Sequence, residues 1–314
     1  MKVAYNQTYN KIFAHTYSIV AQDPETGEMG VGVQSHWFSV GSVVSWGEAG
    51  VGVVATQSLV NKSFGLRGLE LLKKGKSPQN AIDILLSDDE GKDVRQVAIL
   101  DVTGNIATHT GSKCIKYAGH IIGDNFSVQA NMMLSDKVWP SMAKAFRKYK
   151  DLPLPERIVK TLEAAETSGG DIRGKQSAAL LVVDGEQPDN KWDDPQIDLR
   201  IEDHKKPLEE LDRLLRIYRA YEHMNKGDIA IEHDNMTNAL KEYNSALNMF
   251  PNNLEMKYWT AVSLANNKKL DDAIMLFKDV FKNDKNWCLL TERLPDSGLL
   301  NLKQEDLERI LSLK

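Results

Sequence analysis

The chain has 314 residues, a formal net charge of −5 and a hydrophobic content of 42%, which allows two domains with separate cores. No apolar run approaches the ~20 residues of a membrane helix, the first residues lack the apolar segment of a signal peptide, and no basic arm indicates nucleic-acid binding. We therefore predict a cytoplasmic protein without membrane or nucleic-acid contacts. Cys114 and Cys288 are far apart and are expected to be reduced thiols.

The first part of the chain is dominated by β-strand patterns. Runs rich in β-branched and small apolar residues predict strands at 16–21, 29–35 and 51–57. Residues 23–27 read Asp-Pro-Glu-Thr-Gly and supply the turn of a hairpin between the first two strands.

Helices and further strands follow in groups. The second of two helices after residue 57 should begin at Ser77, as N-cap, and Pro78. The remaining predicted elements are strands at 96–101 and 106–110, an extended run near 120–133, helices at 136–149 and 155–167, a strand at 177–184 and an edge strand at 197–201. Strand groups separated by helix pairs predict an α+β fold, a four-layer αββα sandwich of two antiparallel sheets with helices outside.

The last third of the chain contains an internal repeat. Small and aromatic residues recur at a spacing of 34: Ala239, Leu240, Tyr243 and Ala246 match Ala273, Ile274, Phe277 and Val280. With Gly227 and Pro251, this pattern resembles tetratricopeptide repeats, with units at 220–253 and 254–287. Flanking helices are expected at 208–225 and 304–313. The domain border is placed near Lys205, giving domains 1–204 and 205–314.

Several segments resemble one protein family. They read SIVAQDPETGEMGVGVQSHWFSVGSVV, GVGVVATQSLVN, HTGSKCIKYAGH, FSVQANMM, GGDIRGKQSAALLVV and DLRIEDH, in this order over about residues 14–204. Together they are similar to the domain of unknown function 1028 family. The resemblance implies an N-terminal-nucleophile-hydrolase-like fold and raises the expectation of amide hydrolysis. The end of the chain resembles an extension seen with this family that has been labelled peptidoglycan-binding, although a helical repeat explains its residues more directly.

Thr16 opens the first predicted strand, near the start of the chain. In N-terminal-nucleophile enzymes such a hydroxyl is activated by the α-amine of the same residue. This mechanism requires cleavage between His15 and Thr16. The alternative is that Thr16 is an ordinary β-branched strand residue. If the chain is not cleaved, Ser18 with His36 as an external base is the next pair to consider.

Other polar side chains stand at predicted strand ends, where they can converge on a cleft. The candidates are Ser35 and His36, Gln57 and Ser58, Gln129 and Asn131, and Asp171, Arg173, Gln176 and Ser177. His36 is a candidate acid or base and Asn131 a candidate oxyanion donor. Arg173 could bind a carboxylate, and the rest are candidate substrate contacts. The alternative is a structural role, with loop caps and an Asp171–Arg173 surface pair.

Three functions remain open. The first is an amide-bond hydrolase acting on a small amide or peptide-like metabolite. The second is a non-catalytic ligand-binding or assembly protein that contacts partner proteins through the helical repeats. A peptidoglycan-binding protein is third. We expect a homo-oligomer and no cofactor. No metal site is expected, because His109, His120 and His204 lack ligand spacing.

Overall fold

The computed structural model describes residues 12–14, as backbone, and residues 16–313. Within these residues, one antiparallel sheet has the strand order β11-β10-β3-β2-β9-β8. Its strands are β2 (Thr16–Gln22), β3 (Met29–Ser35), β8 (Gly119–Gly123), β9 (Phe126–Ala130), β10 (Ser177–Val183) and β11 (Ile197–Ile201). The turn at 23–27 joins β2 and β3 as the sequence predicts, and the Gly27 N–H donates to the Asp23 carbonyl.

The second sheet is also antiparallel. Its order is β1-β5-β6-β7, and β4 pairs with β5 as well. The strands are β1 (Ile12–Ala14), β4 (Ser45–Glu48), β5 (Gly52–Val60), β6 (Arg95–Asp101) and β7 (Ile106–Thr110). The chain therefore passes from one sheet to the other between Ala14 and Thr16.

An apolar core lies between the two sheets. Val20 and Val33 from the first sheet pack with Val53, Ala55 and Ala98 from the second. Because side chains alternate along a strand, the opposite face of each sheet must be covered by other elements.

Helices cover these outer faces. The helices of this region are α1 (Gly41–Val44), α2 (Ser63–Lys73), α3 (Pro78–Ser87), α4 (Val138–Lys148) and α5 (Leu154–Thr167). α2 and α3 contact the second sheet, and α4 and α5 contact the first. The Ser77 side chain accepts a hydrogen bond from the Asn80 N–H (3.3 Å), the cap predicted for α3. Gly32 lets α5 approach closely, since a Cβ there would lie 2.3 Å from the Ile158 side chain.

The C-terminal part is helical. It contains α6 (Pro207–Glu232), α7 (Met236–Met249), α8 (Leu254–Asn266), α9 (Leu270–Asn283), α10 (Asn286–Arg293) and α11 (Gln304–Leu311). The chain divides into two compact units between Leu215 and Arg216. This point lies inside α6, ten residues after the border predicted near Lys205. Six positions of the predicted repeat are buried in the second unit: Ala239, Tyr243, Ala246, Ala273, Phe277 and Val280.

Some elements differ from the sequence prediction. The extended run near 120–133 is a hairpin of β8 and β9, with Asn125 at positive φ (60°) in its turn. β1, β4, α1 and α10 were not predicted, and α6 joins a predicted flanking helix to the first repeat helix. Among the residues that the structure describes, no helix is both long and apolar enough to cross a membrane.

Candidate active site

Four strand termini meet at one end of the first sheet. Thr16, which starts β2, is paired with Ser35 at the end of β3, and Ser35 is paired with Ser177 at the start of β10. β9 ends at Ala130, the partner of Tyr17. Thr16 lies on the same face of β2 as Ser18, which contacts the second sheet. Thr16 therefore faces the space between the sheets.

The main chain of Thr16 is held by three amide N–H donors. Its carbonyl oxygen accepts hydrogen bonds from the Asn131 backbone N–H (3.0 Å), Gln57 Nε2 (3.3 Å) and Asn131 Nδ2 (3.4 Å). All three residues are completely buried. Gln57 belongs to the second sheet and Asn131 follows the last residue of β9, so these bonds hold the Thr16 carbonyl from both sides.

Ser18 is surrounded by amide side chains instead of a base. Its hydroxyl donates to Gln57 Oε1 (2.7 Å) and accepts from Gln129 Nε2 (2.7 Å). Ser18 is fully buried, whereas His36 is exposed. The geometry therefore disfavours the Ser18–His36 pair as a nucleophile and base.

Gln96 joins this group and was not predicted from the sequence. From β6, its Oε1 accepts from Gln57 Nε2 (2.7 Å) and Asn131 Nδ2 (2.9 Å). Its Nε2 donates to the Ala130 carbonyl (3.0 Å). We call Ser18, Gln57, Gln96, Gln129 and Asn131 the amide network. It replaces the apolar core between the sheets at the end where Thr16 lies.

A half-buried histidine is connected to this network. Gln96 Nε2 also donates to Thr110 Oγ1 (2.9 Å), which in turn is bonded to His120 Nδ1 (2.9 Å). Burial, together with Coulombic repulsion from His109, lowers the pKa of His120. The neutral imidazole is therefore favoured as an acceptor for the Thr110 hydroxyl.

A second polar group lies just beyond the strand ends. Asp171, 4% exposed, accepts from the His36 backbone N–H (3.2 Å) and from Arg173 Nε (3.0 Å) and Nη2 (2.7 Å). Arg173 is thus ion-paired in two-point geometry, but the Asp171 carboxylate is buried and the pair is not the surface pair considered from the sequence. The His36 ring lies near Gly174 and is exposed. Asn131 belongs to the buried network, whereas His36 is exposed and Arg173 is partly exposed, so these three side chains do not line one common pocket.

Two surface clefts are located elsewhere. One of about 630 Å³ is lined by Leu72, Lys73 and Asp101, and another of about 630 Å³ by Gln22, Asp124 and Arg157. Neither contains a candidate catalytic residue. The predicted polar residues lie together at the strand ends instead.

A family model described as a family of unknown function, DUF1028, matches residues 16–211. The chain belongs to the DUF1028 family. The chain is also similar to the crystal structure of protein SPO2555 from Silicibacter pomeroyi, which is described with the same family. The two share 33% sequence identity and a TM-score of 0.58, and the match covers 65% of this chain and 85% of SPO2555. No curated protein matches. The family resemblance seen in the sequence is confirmed, and the family match ends before α7.

Three further candidates, Ser35, Gln176 and Ser177, make structural contacts. The Ser35 carbonyl accepts from the Gln176 N–H (3.0 Å), and Gln176 Nε2 donates to Asp203 Oδ1 (3.1 Å). The Ser177 hydroxyl donates to the Trp37 carbonyl. These bonds fasten the loops around the strand ends. Burial raises the pKa of the Cys114 thiol, which agrees with an inert cysteine.

Proposed function

We propose that this protein is an amide-bond hydrolase of the N-terminal-nucleophile type, acting on a small amide or peptide-like metabolite, with Thr16 as nucleophile. The observation that carries the proposal is the triple hydrogen bonding of the Thr16 carbonyl by Gln57 and Asn131. A residue fixed in this way keeps its position when the preceding peptide bond is cut, which preorganises its hydroxyl and its α-amine.

The architecture supports the same proposal. Two antiparallel sheets face each other with helices outside, and Thr16 begins an inner-facing strand at one sheet end. N-terminal-nucleophile hydrolases resemble this arrangement. Fold likeness does not supply chemistry by itself, so the proposal depends on how Thr16 is held.

The proposed reaction begins when the α-amine of Thr16 takes the proton of its own hydroxyl. The hydroxyl oxygen then attacks the substrate carbonyl. Asn131 Nδ2 donates to the Thr16 carbonyl and to Gln96 Oε1, so both of its N–H groups are engaged. We therefore assign Asn131 a positioning role in place of the oxyanion role expected from the sequence.

The residues before Thr16 must be removed for this chemistry. The backbone of β1 pairs with β5 from Ile12↔Val60 to Ala14↔Ser58, so this segment is part of the second sheet before any cleavage. The proposed cleavage site includes His15, which lies outside the described residues.

The test compares three variants by intact mass and by hydrolysis of a panel of simple amides. Thr16→Ala should abolish both processing and turnover, whereas Thr16→Ser should retain part of each because the hydroxyl remains. Thr26→Ala changes an exposed threonine of the β2–β3 turn and should behave as wild type. Full activity in Thr16→Ala would contradict the proposal.

The helical region favours a second role. A Cβ at Gly227 would lie 2.4 Å from the Tyr243 ring, and this pairing of a glycine with an aromatic is typical of tetratricopeptide-like helix packing. We propose that residues 216–314 contact a protein partner while the DUF1028 region performs hydrolysis. Loss of hydrolysis without loss of partner binding in Thr16→Ala would support two separate roles, and simultaneous loss would contradict them.

A further inference from the structure

The strand ends around Thr16 continue into four segments that form one surface. Residues 36–39, 131–134 and 170–176 leave the same end of the first sheet, and 115–117 runs beside 131–134. We call these four segments the rim. Because Asn131 belongs both to the rim and to the amide network, the rim begins directly beside the proposed nucleophile.

Backbone hydrogen bonds hold the rim together. The Leu134 N–H donates to the Gly170 carbonyl (3.0 Å), and the Ile172 N–H donates to the Met132 carbonyl (3.2 Å). On the other side, the Met133 N–H donates to the Tyr117 carbonyl (3.2 Å). The rim is therefore an ordered extension of the sheet.

Large apolar side chains project from the rim into solvent. Phe38 is 63% exposed, Ile172 57% and Leu134 55%, and Ile115 and Tyr117 are also exposed. Single exposed apolar residues are ordinary, but several on adjoining segments mark a binding surface.

The charge of the rim is opposite to that of the whole chain. Its positively charged residues are Lys116, Arg173 and Lys175. Arg173 is paired with the buried Asp171 and Lys175 with Glu166 (3.1 Å), so Lys116 carries the charge that the rim offers to a ligand. Lys116 Nζ lies 5.1 Å from the centre of the Tyr117 ring, which keeps a positive charge beside the apolar side chains. The chain as a whole has a net charge of −5. Exposed apolar side chains next to a positive charge therefore favour a ligand that is apolar and carries a carboxylate.

We propose that the rim binds N-acylated amino acids, with the acyl chain on Leu134 and Ile172 and the free carboxylate facing Lys116. This assignment rests on the proposed hydrolase function. The Thr16 hydroxyl oxygen bonds to the acyl carbon, the C–N bond breaks, and the hydroxyl proton passes through the α-amine to the departing amino acid. Water then cleaves the acyl-Thr16 ester and releases the carboxylic acid.

The test measures kcat/KM and equilibrium binding for the full chain with N-octanoylglycine and N-acetylglycine. Contact of the longer chain with the rim should favour the octanoyl compound at least ~10-fold, since each buried methylene contributes to affinity. Leu134→Ser and Ile172→Ser should each reduce that preference. Leu299→Ser, at a leucine that is 52% exposed in the second unit, is the matched control.

The charge is tested separately with the methyl ester of N-octanoylglycine. Wild type should prefer the free acid, and Lys116→Gln should reduce this preference by about tenfold, comparable to the loss of one exposed charge contact near a low-dielectric surface. Lys278→Gln, at an exposed lysine of α9, should leave it unchanged.

The outcomes separate this inference from the proposed function. Hydrolysis of amides without chain-length preference leaves the hydrolase proposal intact and overturns the rim assignment. Chain-length-dependent binding without turnover supports the rim assignment and contradicts the hydrolase. If Leu134→Ser dissociates a dimer in sedimentation and leaves the octanoyl preference unchanged, the rim is a contact between two copies and the ligand assignment is wrong.

Discussion

Removal of the Gln96 amide should destabilise the DUF1028 region strongly. In Gln96→Leu, one N–H of Gln57 Nε2 and one N–H of Asn131 Nδ2 lose their acceptors at 2.7 and 2.9 Å, in a site that is fully buried. Each buried group left without a partner costs ~1–3 kcal/mol, and the added apolar surface of leucine offsets part of this cost. We expect a net loss of roughly 2–4 kcal/mol in the free energy of unfolding.

Urea unfolding followed by circular dichroism measures this change. Gln79→Leu is the matched control, because Gln79 lies on the exposed face of α3 and its side chain donates to Asp83 at the surface. The control should change stability by less than ~0.5 kcal/mol. A Gln96→Leu protein as stable as wild type would refute the assignment of the amide network as a structural bridge between the sheets.

Three further predictions follow from other parts of the chain. Ala239→Trp should unfold the helical unit by overfilling a fully buried position, and limited proteolysis should then release a stable N-terminal piece. The control Asn238→Trp should resist proteolysis. Degradation of the whole Ala239→Trp chain at one rate would contradict the division into two units. Gln34→Leu should stabilise the protein by ~1–3 kcal/mol in urea unfolding, because both polar atoms of this buried side chain have no partner among the described residues; a loss of stability would contradict this. Since the pKa of His120 is lowered by burial and by His109, the unfolded state takes up the proton first, so the free energy of unfolding should fall as the pH drops through ~6.5. His120→Asn should weaken this pH dependence, and the control His233→Asn should not. An unchanged pH profile in His120→Asn would contradict the prediction.

Periodicity was sufficient to predict most of the fold. The strand at 29–35 and the edge strand at 197–201 have the predicted bounds, because alternation and turn residues are local signals. The short β1 and β4 carry no such signal, since they are stabilised by pairing with β5. The turn at Asn125 could have been recognised from Gly123-Asp124-Asn125, a sequence that favours positive φ.

The site was predicted less completely than the fold. The sequence indicates Thr16 as a candidate nucleophile and Gln57, Gln129 and Asn131 as polar candidates, and the structure brings all four together. Gln96 was missed because its partners come from the other sheet, and strand register across a sandwich cannot be derived from local sequence. The available signal was the position of Gln96 itself. It lies two residues before the buried Ala98 and therefore on the same inward face of its strand, where a polar side chain needs a hydrogen-bond partner.

The central claim is that Thr16 is the reactive N-terminal residue of the working protein. The most direct test is N-terminal sequencing of the purified, amide-hydrolysing protein after treatment with a β-lactone that acylates catalytic hydroxyls. We predict a chain that begins at Thr16 and carries the acyl group on that residue. An active chain that still begins at Met1, or an acyl group on another residue, would contradict the claim.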